Sequence, residues 1–482
     1  MKTVNIVGGG ISGLTAGIYL LKNNYKVNIY EKNNNVGGFC TSWKRKGQTI
    51  DGCIHWLMGT HKDSRIGKIW REIGGFTDED VIQLNSFYKV YHNGETLTFY
   101  NDFDKLEREL YRVGKEDDLE IQRLMDVLRY LKMYEIDTSM PSELSTEPSK
   151  PNMEFVKKTV RFLNCTVEQY ANRFNSPIIR YAFLNGLVDK HFCAIYLVQT
   201  LSNFCMGNAY VIRGGSSKVM ENVLSTFKSL GGNVYLNSNV EQIIVENGEA
   251  KGIKVENKGE IFSDYVIAAC DVHHTYKHLL GDKIDYNEYL ERDNNKEKYP
   301  TYSFIVASFK TKENLKNHEV AEIYKVEPYT ILGKEYDSLC VRHYGYDDSL
   351  MTDGYTTIEV FVATYEEDYD KLKTFSKEEY RKLKNEIADI LKERLESVYG
   401  VKEELILIDT LSPLTYERYL NSYKGSFMSY PLGVKTPQKI QSNKVKEVKN
   451  LYLANQWLML PGGTPIAVTM GKFASQMIIA DR

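Results

Sequence analysis

Three glycines, Gly8, Gly10 and Gly13, follow the short apolar run Val4-Asn5-Ile6-Val7 in the order G-x-G-x-x-G, and an acid, Glu31, follows one helix and one strand later. Residues of these types at this spacing hold the pyrophosphate of a dinucleotide. Gly8 permits a tight turn, Gly10 lets backbone approach the phosphates, and Gly13 lets a helix pack close to the strand. The start of that helix offers free N–H groups and the positive end of its dipole to the anion. Glu31 is placed to accept hydrogen bonds from ribose hydroxyls. A glycine-rich turn in an unrelated domain would not need these flanking elements.

The elements that must position the motif are legible around it. Leu14, Ala16, Gly17, Leu20 and Leu21 give an apolar helical face, and Val27-Asn28-Ile29-Tyr30 is the next strand. Farther on, residues 216–230 carry a helical apolar pattern stopped by Gly231-Gly232, followed by a strand at 233–237. A hairpin is expected over 240–245 and 250–256, and an apolar strand over 264–269. At the C-terminus, a strand from about 451 leads through Gly462-Gly463 into a helix from about Pro465. Residues 76–204 read as mainly helical. The runs YSFIVASF and TTIEVFVATY in 299–365 read as strands, and Ser376 with Glu379 opens a long charged helix as a capping box. The fold class expected is α/β, mixed with α+β. A Rossmann-like nucleotide domain would be built from 1–75, 205–280 and 425–482, and a discontinuous substrate domain from 76–204 and 281–424. The stretch Phe192–Ile212 carries no charged residue and is long enough to span a membrane. Gln199, Ser202, Asn203, Gly207 and Asn208 interrupt it, so a buried helix beside an apolar cavity is expected instead.

The glycine turn alone does not separate NAD from FAD. Its continuation does, because the pair Gly37-Gly38 just past Glu31 resembles that of two-dinucleotide-binding-domain flavoproteins. Six ordered motifs make the chain similar to the phytoene desaturase, carotenoid isomerase and retinol saturase group: GGGISGL at 8–14 with Glu31 and Gly37-Gly38; IDGCIHWLMG at 50–59; RGGSSKVMENVL at 213–224; DYVIAACDVHHTYKHLL at 264–280; TLSPLTYERYLNSYKGS at 410–426; and LYLANQWLMLPGGTPIA at 451–467. The resemblance implies a Rossmann-like FAD-binding fold of that flavoprotein type, with FAD bound non-covalently. It places Gly8, Gly10, Ser12, Gly13, Glu31, Lys32, Gly38, Phe39, Thr41, Val240, Asn455, Gly463, Ala467 and Val468 at the cofactor, the last helix pointing its N-terminus at the flavin. It implies redox or isomerisation at carbon–carbon bonds of a lipophilic polyene, isoprenoid or unsaturated lipid, with electrons exchanged with an external donor or acceptor. The chain also departs from the group. Cys53, Asn455 and Met470 stand where Gly, Gly and Ser are common, and Phe39 replaces an Arg frequent in the desaturases, which points away from a true carotene desaturase.

Few protein acids or bases are needed when a cofactor carries the chemistry. His55 is the catalytic candidate, as a proton donor or a hydrogen-bond partner of the flavin, against a plain structural histidine. Trp56, Arg418, Tyr419 and Trp457 are candidates for the substrate cavity. Asp51 reads as a backbone cap, Cys53 as a packed thiol, and His273 and His274 as surface or capping residues; no metal site is expected.

Composition bounds the rest. The net charge of −3 leaves no basic surplus for nucleic acid. Seven cysteines, an odd number without a C-x-x-C, fit a reducing cytoplasm, and the stretch before Glu31 lacks a secretory pattern. Peripheral contact with the inner face of a membrane is an expectation for a lipid-handling enzyme; no amphipathic basic helix identifies it. Two alternatives stay open on sequence alone: an amine-oxidase-like flavoenzyme, and a non-enzymatic escort-like binding protein that keeps the fold.

Overall fold

The computed structural model describes residues 1–482 except 133, 134, 136, 146–151, 187, 282, 283, 285, 286, 438, 439 and 482; the side chains of 287 and 288 are likewise outside the description. Thr3–Val7, the strand before the glycine turn, is the centre of a five-stranded sheet, ordered Asn233–Tyr235, Lys26–Tyr30, Thr3–Val7, Tyr265–Ala268, Leu451–Leu453. Every pairing in it is parallel. Alternate residues therefore face opposite layers. Val4, Ile6, Val27, Ile29 and Ile267 join the core formed with the helices Ile11–Lys22, Gly215–Ser229 and Thr464–Ala480. Val7, Tyr30, Val266 and Ala268 join the core under a three-stranded antiparallel sheet, Val240–Glu246, Glu249–Val255 and Gly259–Phe262. An asparagine ladder crosses this second face. Asn233 donates to Asn28 at 3.2 Å, Asn28 to Asn5 at 3.2 Å, and Asn5 to the Ile261 carbonyl at 3.1 Å.

The second large sheet has seven strands in the order Ile406–Leu411, Tyr302–Thr311, Thr356–Tyr365, Lys334–His343, Ala321–Ile331, Ser86–His92, Glu95–Tyr100. The stretch 76–204 thus adds a hairpin to this sheet as well as its helices, because Ser86–His92 pairs in parallel with Ala321–Ile331. Ile305, Ala307, Leu339, Val341, Ile358 and Val360 pack under the long helix Lys377–Val398, whose capping box is formed by Ser376 and Glu379. By strand alternation Tyr302, Phe304, Cys340, Arg342, Glu359 and Phe361 take the other face, where Tyr302, Phe304 and Cys340 meet a core built largely from helices.

Between the sheets lies a helical layer. Its helix Ala194–Cys205 is the centre of the charge-free stretch and is buried along most of its length. No helix among the described residues is long and apolar enough to cross a membrane.

Two helices set the site's geometry. A Cβ on Gly471, in the last helix, would meet the Ser12 carbonyl oxygen of the first helix at 2.4 Å and the Thr15 Cβ at 3.0 Å. The two backbones touch, and the Ser12 hydroxyl also donates to the Ala454 carbonyl. Gly471→Ala should force the helices apart and destabilise the protein by about 1–3 kcal/mol, the usual range for an overpacked core. Thermal melting measures this; an unchanged melting temperature would contradict the contact.

Candidate functional site

The glycine turn forms as its spacing requires. Gly8 adopts φ +102°, and a Cβ on Gly13 would lie 2.3 Å from the Gly8 carbonyl oxygen, so only glycine lets the helix start this close to the strand. The helix Ile11–Lys22 begins after Gly10 with no side-chain cap and no acid in its first turn. The helix Thr464–Ala480 begins after Gly463 in the same condition. Two uncapped N-termini thus open on one cavity of about 800 Å³. Gly37 and Gly38, both at positive φ, approach the turn, with Gly37 N–H donating to the Gly9 carbonyl at 3.0 Å. The buried Asn455 side-chain nitrogen lines the cavity without a partner. Open amide ends, a cradle of glycines and an unclaimed buried amide fit a dinucleotide, whose phosphates the first helix would hold and whose ring system the last would face.

Of the residues singled out in the sequence, Gly8, Gly10, Ser12, Glu31, Lys32, Gly38, Phe39, His55, Trp56, Val240, Tyr419, Asn455, Trp457, Gly463 and Ala467 line this one cavity. Glu31 accepts from Gly9 N–H at 2.8 Å and from both amide groups of Asn33 at 2.9 Å. Lys32 reaches the Asn421 side chain at 2.6 Å, and burial lowers its pKa. Four residues are not on the lining. Gly13 sits beneath the turn, and Val468 is fully buried in the last helix. Thr41 uses its carbonyl to accept Gly52 N–H at 3.1 Å. Arg418 is not on the lining; its guanidinium lies over the Tyr419 ring at 5.4 Å.

Asp51 is a hub. Buried at 2% exposure, it accepts from Ser216 N–H at 2.7 Å, Cys53 N–H at 3.1 Å and Ile54 N–H at 3.3 Å, as well as from the Ser216 hydroxyl. Gly215 must be glycine here: its φ is +60°, and a Cβ would sit 2.1 Å from the Asp51 carboxylate. The glycine pair before this helix thus admits a carboxylate to the helix N-terminus. Tyr344 carries the network on, donating to the Asp51 carbonyl at 3.1 Å and to Glu359 at 2.7 Å.

The other end of the cavity is aromatic. His55 lies 4.9 Å edge-on from Phe361 and is stacked at 6.3 Å on Phe427. Phe39 lies 6.1 Å from Phe427, and Trp56 packs 5.1 Å from Phe87. Burial, and then the charge of Arg342, hold the His55 pKa well below its ordinary value, so its imidazole is neutral at pH 7. Arg342 donates to the His55 carbonyl. Sequence reasoning does not find Arg342, Glu359 and Tyr344; the one signal available is the lone charge of Glu359 inside the apolar strand Thr356–Tyr365.

His273, expected as surface or capping, is buried at 3% exposure, and that expectation is corrected. Its ring lies between Asp271 (3.2 Å) and Asp293 (3.1 Å), stacks on Tyr423 at 3.8 Å and meets Trp457 edge-on at 4.6 Å. Burial alone would lower its pKa, but the two carboxylates outweigh it and hold it raised. The ring braces Trp457, which lies on the cavity wall. Asp271 caps the His273 and His274 amides. Cys53, expected as a packed thiol, lies at the cavity edge, where the Cys40 thiol and burial push its pKa up.

This arrangement defines a dinucleotide-binding oxidoreductase fold. A solved oxidoreductase from Methanosarcina mazei aligns over 100% of both chains with TM-score 0.63 at 14% identity. The family of flavin containing amine oxidoreductases matches residues 11–479, and the chain belongs to it. It is therefore a flavin-dependent oxidoreductase. Among its relatives, the 4,4'-diapophytoene desaturase (4,4'-diapolycopene-forming) of Methylomonas sp is 24% identical over 99% of this chain and 95% of its own. The all-trans-retinol 13,14-reductase of Danio rerio is 23% identical over 95% of this chain and 82% of its own.

Burial pushes the Glu359 carboxyl from 4.5 up to about 7, against the bonds from Tyr344 and Ser308. The folded protein holds a proton there that the unfolded chain releases near 4.5. This group's contribution to stability is present at pH below about 4.5 and is lost as pH rises towards about 7. The whole span is worth at most ~3 kcal/mol, at about 1.4 kcal/mol per pKa unit. Glu359→Gln removes it, so melting of the wild type relative to this variant should fall between pH 5 and pH 8. Parallel pH profiles would overturn the assignment.

Proposed function

We propose that this enzyme acts on carbon–carbon bonds of a lipophilic unsaturated molecule, by desaturation, saturation or flavin-assisted isomerisation. The observation that carries the reading is the continuity of one cavity from the two glycine-capped helix ends to a chamber walled by Phe39, Trp56, Phe304, Phe361 and Phe427. The flavin supplies hydride exchange with carbon; the chain supplies orientation and the exclusion of water. Neutral His55 serves as a hydrogen-bond partner in that wall. The relatives named for a desaturase and a retinol reductase support a polyene-like substrate. An amine substrate is less well supported, because an ammonium in this chamber would meet the Arg342 guanidinium.

FAD is proposed to be held without a covalent bond by the cavity-lining residues named above. The parallel sheet and its helices form the cofactor domain, and the seven-stranded sheet with the helical layer forms the substrate domain. With a single G-x-G-x-x-G in the chain, electrons would be exchanged with an external carrier. The purified protein should show near-ultraviolet and blue flavin bands that bleach with dithionite, and acid precipitation should release all the flavin into the supernatant. Colourless protein that takes up no added FAD would move the escort-like reading to first place.

Substrate collection from a lipid surface is proposed at the helix Met153–Leu163. Met153, Val156 and Val160 are 72%, 40% and 43% exposed, while Phe155 and Leu163 of the same helix line the cavity. A helix apolar towards both solvent and cavity suits a membrane interface. Val156→Asp with Val160→Asp should reduce co-sedimentation with phospholipid vesicles several-fold; undiminished sedimentation would move the contact elsewhere.

A further inference from the structure

Arg342 is the cation that an apolar chamber should not contain without an anion. It is 5% exposed, lines the cavity beside His55, and lies on the same sheet face as the wall residues Cys340 and Phe361. Burying a guanidinium is expensive unless its donors and its charge are matched. Its donors are matched only in part. One goes to the His55 carbonyl, while Nε has no partner. Among the described residues Arg342 forms no ion pair. Its register partner on the next strand is Glu359, whose carboxyl group feels the Arg342 charge but bonds Tyr344 at 2.7 Å and Ser308 at 3.0 Å and forms no ion pair with the guanidinium. A planar fork with an unclaimed donor, beside the aromatic wall formed by Phe304, Phe361 and Phe427, matches a carboxylate better than any other common head group.

We propose that the substrate is an unsaturated carboxylic acid whose carboxylate pairs with Arg342 and whose hydrocarbon chain lies along Trp56, Phe192 and Leu163. This rests on the reading of a lipophilic unsaturated substrate and narrows it. A hydrocarbon such as a carotene would leave the guanidinium buried and unpaired. An alcohol would satisfy its hydrogen but not its charge.

Flavin-loaded protein should be titrated by calorimetry at pH 7.5 with two matched pairs, retinoic acid against retinol and oleic acid against oleyl alcohol. Within at least one pair the acid should bind about tenfold tighter or better, as a charge-assisted bond outweighs a neutral one. Arg342→Gln should abolish that preference and leave the alcohol's affinity, and Arg342→Lys should restore part of it. Acids binding no tighter than their alcohols to the wild type would overturn the inference while leaving the wider reading standing. Binding of none of the four would overturn both. The flavin's reduction potential is a further readout. If Arg342→Gln lowers it and the wild type shows no acid preference, the arginine serves the cofactor and the inference fails. The wild-type comparison decides the matter even if the glutamine variant does not fold.

Discussion

Everything in this site depends on how closely two helices approach. The helix after the glycine turn and the last helix of the chain touch backbone to backbone at Ser12 and Gly471, and each begins at a glycine with its amides uncovered. Dipole ends that point into one cavity repel each other weakly; the first helix leaves up to four N–H groups unpaired, and the last at most two, because Pro465 has no N–H and Gly463 donates to Gln456 at 2.8 Å. An elongated anion with a polar ring system satisfies both at once. The sheet exists to bring them together: its central strand feeds the first helix, and its edge strand Leu451–Leu453 leads to the second. Residues from opposite ends of the chain thereby become one binding surface.

The second constraint is the handling of charge away from water. Asp51, His273 and Glu359 are all buried, and each is held by at least two hydrogen-bonding partners. They are not interchangeable in kind. Asp51 sits at a helix N-terminus and binds the hairpin 42–51 to the helix Gly215–Ser229. His273 joins three separate chain segments behind Trp457. Both are braces whose partners are all protein groups. Arg342 differs because it lies on the cavity lining with its Nε buried and without a partner, and an incomplete network beside a cavity marks a place where something else completes it.

The legible and illegible parts of the sequence divide by range. The glycine turn, its strands and Glu31 can be read because each requirement is local: a tight turn, a close helix start, an acid at a strand end. The buried nature of Ala194–Cys205 follows from polar interruptions in a run too weak for a membrane. The hairpin Ser86–Tyr100 reads as part of a helical stretch, because its place in the sheet depends on pairing with Ala321–Ile331, a strand far along the chain. His273 reads as a surface residue for the same reason. Its partners Asp293, Tyr423 and Tyr430 are set by tertiary structure, and only Asp271 is near in sequence.

Arg342 shows what such a reading needs. Within Lys334–His343 the alternation Leu339, Cys340, Val341, Arg342 says that the arginine shares a face with a cysteine, not that the face lines a cavity. Only the helix Lys377–Val398, covering the opposite side, decides it. The same wall carries Phe39, where the similar desaturases often have an arginine, and Phe39 here packs on Phe427 and Tyr416. The guanidinium beside this wall therefore comes from the seven-stranded sheet, not from the loop that follows the glycine pair. A charge anchored on a strand paired on both sides is held at a fixed height relative to the rest of the cavity. That is the property required of a residue that sets how far along a chain the reactive bond lies.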